Sequence, residues 1–249
     1  MTKVSATELD NPARKIALDH LQAQGYTRQG LPLDQDVAQA FAQLANGAWE
    51  LPIDVYYKPG NRRRTINRYR AVVTEDGIEI SSAEDGTPYF QDKKYNTTLG
   101  GMGREYPPLP AALSSSPGLH KAIAHHLARL PLSVPGQQYD VNLHVMRYSA
   151  LPDKPCDTSP SGFHKDGEKY IAVTLLAFCG VSGGEVAIAN NDKVQQDSFV
   201  MREIGETYTI DDEKVWHKMS PVHVAPHNGF AYRDILLFDF IPVGWTATY

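Results

Sequence analysis

The stretch from Tyr232 to Val243 is apolar throughout except for Arg233, Asp234 and Asp239. A continuous apolar run of this kind, rich in β-branched and aromatic residues, reads as a central strand buried on both faces. A sheet must therefore enclose it, and its charges must be answered inside the fold. A buried guanidinium requires an anionic partner, because an uncompensated charge in a dry interior is costly. Strict alternation puts Arg233 and Asp239 on the same side of the strand. Two partners for Arg233 follow: Asp239 from within the chain, or the carboxylate of a bound small molecule.

Further strand signals surround this one. Tyr139 to Ser149 alternates, with Val141, Leu143, Val145 and Arg147 on one side and Asn142, His144, Met146 and Tyr148 on the other. Lys169 to Phe178 is a long β-rich apolar run, and Gly183-Gly184-Glu185 turns the chain into Val186-Ala187-Ile188. Glu206 to Ile210, a turn at Asp211-Asp212-Glu213 and Val215-Trp216-His217 follow. Strands joined by short turns at this density predict a jelly-roll type of β architecture. A strand-like segment at Leu51 to Tyr57 and a strand pair around the Asp76-Gly77 turn, from Ala71 to Ile80, complete the β reading. Residues 82 to 110 read as a loop with short strands.

Three helices flank the strands in this reading. The first spans Pro12 to Gln24, with Asn11 as N-cap and Gly25 as the stop. The second spans Asp36 to Ala45, with Val37, Phe41 and Leu44 as its apolar stripe. The third is capped by Ser116, opened by Pro117 and closed by Pro131, with Leu119, Ile123, Leu127 and Leu130 facing inward. His120, His125 and His126 on this helix lack the spacing of a helical metal site and are expected to be exposed. The expected fold class is mainly β with flanking helices (α+β). One domain over 1–249 is expected, with N-terminal helices at about 12–45 and the core at about 139–243.

The formal charge of −5 and pI near 6.0 give no general pull toward nucleic acid or membrane. The run Arg62-Arg63-Arg64 with Arg68 and Arg70 is read as a solvated edge strand with internal pairing. Cys156 and Cys179 form neither a disulfide framework nor a CxxC site; Cys179 is expected to be buried and Cys156 to be an incidental loop thiol. Met1 to Glu8 has no apolar core, so no signal peptide is expected there, and no run reaches membrane-spanning length. A cytoplasmic location is the default, and oligomeric state is open.

The chemistry concentrates in Gly162-Phe163-His164-Lys165-Asp166-Gly167. In an extended segment His164 and Asp166 project from one face and Lys165 from the other. With one more imidazole they would form a two-His, one-carboxylate facial triad, the set that holds ferrous iron and leaves positions for substrate and oxygen. His217 and His144 are the two candidates, and spacing does not choose between them. His223 and His227 compete less well, His227 lying in the turn sequence Pro226-His227-Asn228-Gly229. An iron with one protein carboxylate suits a dianionic chelating co-substrate, whose far carboxylate the planar fork of Arg233 matches.

Taken in order, several pieces resemble one family. They are Tyr95-Asn96 with Gly100-Gly101 and Arg104, then Val141-Asn142-Leu143-His144 with Arg147, and Phe163-His164-Lys165-Asp166-Gly167. Gly183-Gly184-Glu185, Val215-Trp216-His217 with Ser220-Pro221, and Tyr232-Arg233-Asp234-Ile235-Leu236 follow. Together these span roughly residues 60 to 242 and resemble the 2OG-Fe dioxygenases, a family that includes bacterial hydroxylases of free amino acids such as isoleucine. The resemblance implies a double-stranded β-helix, Fe(II) held by His164, Asp166 and His217, 2-oxoglutarate bound by Arg233, and O2 as oxidant. It implies hydroxylation of an unactivated C–H bond of a free amino acid or similar metabolite, with release of succinate and carbon dioxide. Asp166 occupies the position a halogenase of this type would need vacant; desaturation and ring closure stay open. Arg104 and Arg147 are candidate partners of the substrate carboxylate, and Glu168, Asp153 and Asp157 of its ammonium. The loop Leu151 to Gly162 is a candidate lid. Two other classes share the triad: an oxygenase or demethylase of peptide or nucleic acid docking on Arg62 to Arg70, and a redox-neutral cupin-like metal protein.

Overall fold

A computed structural model describes the chain except residues 11, 84–85, 97–98, 159–161 and 248–249. In chain order the elements are β1 (Thr2–Ser5), α1 (Ala6–Leu9), α2 (Pro12–Gln24), β2 (Tyr26–Gly30) and α3 (Gln35–Gly47). Then come β3 (Arg62–Thr74), β4 (Gly77–Ser82), α4 (Ala111–Ser114), α5 (Pro117–Leu127), β5 (Gln138–Ala150) and β6 (Tyr170–Cys179). The remainder is β7 (Val181–Gly183), β8 (Val186–Asn190), β9 (Gln195–Phe199), β10 (Glu206–Asp211), β11 (Val215–Met219), β12 (Val222–Val224) and β13 (Ala231–Pro242).

The long apolar strand is central, as its composition requires: the major sheet runs β1-β4-β3-β5-β13-β6-β10-β2, with β13 antiparallel to both β5 and β6. Facing it are the smaller sheets β11-β8-β9 and β12-β7. Two faced antiparallel sheets with short connections make the double-stranded β-helix, and strands from before residue 139 extend its larger sheet.

Alternation sorts the side chains of the major sheet. Val141, Leu143 and Val145 of β5 with Leu236, Phe238 and Phe240 of β13 face the helices, where they pack with Val37 and Phe41 of α3 and Leu119 and Ile123 of α5. Met146, Tyr148 and Ile235 face inward with Val173, Ile188 and Val215 from the strands across the barrel. One face thus carries the helix layer and the other lines the interior.

Several expectations are corrected. The second helix is longer than expected, Gln35–Gly47, with Asp34 as its cap accepting from the Val37 amide at 2.9 Å; the Asn11 cap lies outside the described residues. Residues 51–57 form no strand beyond one bridge, Ile53 to Arg63: β4 covers β3 only from Tyr69 onward, and the chain at 52–54 meets the open edge at Arg62 and Arg64 with two backbone hydrogen bonds before it turns away. The arginines of β3 do pair internally, Arg62 with buried Asp54 at 2.7 Å and Arg70 with Asp140 at 2.8 Å, but the solvated edge is corrected at Arg62 and Arg64, both of which are buried. The cysteines are reversed. Cys156 is buried, which pushes its thiol up to about 11, while Cys179 at the end of β6 is exposed. Among the described residues no helix is long and apolar enough to cross a membrane.

The three histidines of α5 are buried, contrary to the exposed face expected of them. The helix is enclosed by α3, β1 and β4, and Gly118 lets it touch the backbone at Asp36. His126 hydrogen-bonds the Thr174 hydroxyl at 3.1 Å and lies against the Phe238 ring. Burial lowers the pKa of all three below 6.5, most strongly for His126. As pH falls below that value the unfolded chain takes up protons that the folded chain refuses, so stability falls with acid. Thermal denaturation should show Tm decreasing from pH 7 to about pH 5, with a smaller decrease in His126→Gln; an equal decrease would exclude His126 as a contributor.

Candidate active site

His164 and His217 exchange both backbone hydrogen bonds, His164 N–H to His217 C=O at 3.0 Å and the reverse at 3.1 Å. This bridge brings together residues far apart in sequence and leaves their rings 4.2 Å apart, centre to centre. Asp166, on the same face as His164, completes the group: its Oδ1 is 3.6 Å from His164 Nε2 and its Oδ2 3.5 Å from His217 Nε2. One donor atom from each residue falls within 4.8 Å of the others. Two imidazole nitrogens and a carboxylate converging on one point fit a divalent iron with open positions.

The protonation states suit that ion. His164 Nδ1 lies 2.9 Å from the Gly162 carbonyl, so this nitrogen carries the proton and Nε2 is left as the donor to a metal. Burial, reinforced by the neighbouring His217, pushes the His164 pKa down to about 4. For Asp166 burial works upward, but the hydrogen bond and charge of His217 and the charge of His164 outweigh it and hold the carboxylate low. For His217 burial works downward and Asp166 outweighs it, so its pKa is raised. A metal held between them would compete with protonation of His217 Nε2, since the ligands must be deprotonated to bind it.

The turn 211–213 supports the triad from behind. Asp212 Oδ2 accepts from the backbone N–H groups of Asp166 (2.9 Å) and Gly167 (2.8 Å), and its Oδ1 stands 3.9 Å from His217 Nδ1. That nitrogen is buried with no hydrogen-bond partner. Lys165, directed away from the ligands as alternation requires, donates to the carbonyls of Asp212 and Glu213. Gly167 has φ +85°, and a Cβ there would run into the Tyr95 ring, so only glycine lets the loop lie on this segment. Asp212→Ala should weaken Co(II) binding by about 10-fold or more, as loss of an outer carboxylate partner does. Calorimetric titration measures this, and an unchanged affinity would mean that Asp212 does not orient the ligands.

Arg233 projects into the barrel interior beside Tyr148 and Tyr208, which line the same cavity as the triad. It is 1% exposed, and its Nε and Nη2 have no hydrogen-bond partner. Gly184, at φ +67°, makes room for it: a Cβ there would come 2.9 Å from Arg233 Nη1. Its internal rival is otherwise engaged, since Asp239 receives His144 Nε2 at 2.9 Å. The unmet nitrogens of a planar buried cation fit the far carboxylate of 2-oxoglutarate.

The other sequence candidates separate. Arg104 lines the cavity; its Nη2 donates to Gln91 Oε1 at 2.7 Å, and its buried Nε has no hydrogen-bond partner. Glu168 is buried, and desolvation with the charges of Asp239, Asp166 and Asp212 holds its pKa well above the usual carboxyl value. Asp153 and Asp157 are exposed and lie outside the cavity lining. His144 is not a ligand, being held between Asp239 and Arg64, whose Nε is 3.2 Å from His144 Nδ1. His223 and His227 are exposed. Of the candidate lid, Thr158 reaches the cavity and residues 159–161 lie outside the described residues.

Arg147 faces the helix side of the sheet, away from the cavity. It forms a two-pronged pair with Asp234 (2.6 and 2.5 Å) and stacks between Trp49 and Tyr232. The alternation of β5 already set it opposite His144, Met146 and Tyr148, which all face inward. Removing one member of so buried a pair strands the other charge, so Arg147→Ala should lower stability by about 3 kcal/mol. Urea denaturation tests this, and a loss below about 1 kcal/mol, the range of surface pairs, would contradict the structural role.

Sequence reasoning missed Gln91, Arg64, Tyr148, Tyr208 and Asp212 in the site. Arg64 and Tyr148 had a signal, since each shares the inward parity of its strand. Gln91 sits in a loop without periodicity, and its place follows only from the Tyr89–Arg104 bridge.

The 2OG-Fe dioxygenase family model matches residues 46–239 of this chain. The chain is similar to the 3(1)-hydroxy-L-isoleucine 4-dioxygenase of Pantoea ananatis, 28% identical over 211 residues that make up 83% of each protein. It is also similar to the L-isoleucine-4-hydroxylase of Bacillus thuringiensis, 26% identical over 183 residues, 72% of this chain and 74% of that one. Among solved structures, a bsmA homolog from Methylobium petroleophilum has the same fold, with TM-score 0.79, 23% identity and coverage of 95% of this chain and 96% of that one.

Proposed function

Because the chain belongs to the 2OG-Fe dioxygenase family, we propose that it hydroxylates an unactivated C–H bond of a free amino acid or small amino-acid-like metabolite. As a member it is an oxidoreductase that uses Fe(II), 2-oxoglutarate and O2. The observation that carries the reading is Arg233, a buried guanidinium with two unmet nitrogens in the barrel that holds the triad. A redox-neutral metal protein would have no use for an uncompensated cation there.

In this reading His164, Asp166 and His217 hold the iron and Arg233 anchors the far carboxylate of 2-oxoglutarate. The chemistry these groups supply when bound is oxygen-dependent C–H hydroxylation, with 2-oxoglutarate leaving as succinate and carbon dioxide. The chain's own residues bind and orient. Tyr148 and Tyr208 flank Arg233 and keep water from its charge. Arg104 faces the substrate carboxylate, its unmet Nε being the donor left for it. Asp239, close enough to Glu168 to raise its pKa, gives the acidic side that an ammonium would occupy. The two relatives named for isoleucine chemistry support an aliphatic amino acid as the first substrate to try. The docking-face alternative is not favoured, because Arg62 and Arg64 line the cavity, Arg63 donates to the Leu51 carbonyl and Arg70 pairs with Asp140 at 2.8 Å.

Iron-loaded protein should release succinate in an amino-acid-dependent manner, with mass spectrometry finding one added oxygen in a member of a free amino-acid pool. No succinate with iron bound would instead favour redox-neutral metal chemistry. Arg233→Leu should raise the 2-oxoglutarate concentration needed for half-maximal succinate release by about 10- to 100-fold, the worth of hydrogen bonds to a charged group. An unchanged requirement would move the anchor elsewhere.

A further inference from the structure

Gln91 has its amide saturated on one side and directed on the other. Its Oε1 accepts from Arg104 Nη2 at 2.7 Å and from Asn96 Nδ2 at 3.0 Å, which uses both lone pairs. A flipped amide would set its NH2 group against two donors, so the orientation is fixed. Its Nε2 therefore faces Asp166, 3.3 Å from the backbone carbonyl and 3.5 Å from Oδ1. These are long separations, of the kind that tighten when an active site fills.

The loop keeps Gln91 in place. Its carbonyl accepts from the Gly101 N–H at 2.8 Å, the Gly100 N–H bonds the Asn96 carbonyl at 2.7 Å, and Tyr89 and Arg104 exchange backbone hydrogen bonds at 2.8 Å each. The side chain is buried, 8% exposed, and lines the cavity with Arg104 and Asp166.

We propose that Gln91 is a positioning residue through which an anionic group on Arg104 is felt at Asp166, so that occupancy of the substrate site adjusts the carboxylate that holds the metal. The inference rests on the reading of Arg104 as facing the substrate carboxylate. No other side chain in the described residues hydrogen-bonds both Arg104 and Asp166. An anion drawn to the guanidinium pulls on Nη2, the amide follows, and its N–H shifts against the Asp166 carbonyl and Oδ1. By linkage, whatever Arg104 does to the metal through Gln91, the metal does to Arg104's ligand.

A double-mutant cycle read at the metal tests this without knowledge of the substrate. Co(II) affinity would be measured by calorimetry, with the Co(II) d–d absorption in the presence of 2-oxoglutarate as a second readout, for wild type, Gln91→Met, Arg104→Gln and the double variant. Gln91→Met should weaken Co(II) by about 10-fold, the lower end for loss of an outer partner. Arg104→Gln should weaken it by about 3-fold and shift the d–d bands in the wild-type background, and do neither in the Gln91→Met background. The sign is diagnostic, since removing a nearby positive charge would by itself tighten a divalent cation.

Unchanged or tighter binding in Arg104→Gln, or the same weakening with and without Gln91, would overturn the relay. If Gln91→Met does not fold, Arg104→Gln against wild type decides by the same sign. Loss of amino-acid-dependent succinate release in Arg104→Gln with unchanged Co(II) affinity would remove the relay and leave the substrate reading standing.

Discussion

The paired backbone hydrogen bonds between His164 and His217 fix the site on which the rest of the structure converges. They join the segment after β5 to β11, and so set the spacing of two imidazoles before any metal is bound. Asp166 follows from His164 by strand parity alone. Asp212 then grips the Asp166 and Gly167 amides and faces the far side of His217, while Lys165 ties the turn that carries Asp212 back to the same strand. Ligands held this way lose little freedom on binding an ion, which is what preorganisation of a metal site means physically.

The major sheet divides its charges as strictly as its apolar residues. Arg147 and Asp234 meet on the helix side, where Nε and Nη2 of the guanidinium hold both carboxylate oxygens. Arg233, the neighbour of Asp234, points to the opposite face, where no hydrogen-bond partner meets its Nε or Nη2. One residue of displacement along β13 thus separates the anion of a structural pair from a cation kept for a ligand. Asp239 stands on the ligand side too, but His144 and Arg64 draw it into their own network and leave Arg233 uncompensated.

The cavity lining therefore carries both signs, Arg64 and Arg104 on one hand and Asp166 and Asp239 on the other. Arg64 and Arg104 both lie near the Tyr89 ring, their guanidinium carbons 5.4 and 4.9 Å from its centre. Asp239, Glu168 and Asp166 crowd together closely enough that Glu168 gains its proton easily. A zwitterion with its carboxylate toward the arginines and its ammonium toward the acids would match both ends. Such matching orients a substrate as well as binding it.

Much of this was legible in the chain itself. The His164–Asp166 pair, the central place of the last strand, the parity that separates Arg147 from His144, and α2, α3 and α5 with the Ser116 cap all follow from local periodicity and capping chemistry. What the sequence could not settle were matters of which surfaces meet. Whether His144 or His217 joins the triad depends on which strand crosses to His164. The burial of His120, His125 and His126 depends on α3, β1 and β4 enclosing α5, and the exposure of Cys179 on where β6 ends. Gln91 and Asp212 reach the site through a loop and a turn that carry no periodic signal. Period and capping act between residues a few positions apart, so the sequence determines them; partners across the barrel depend on chain crossings far apart in sequence, and only the tertiary structure decides those.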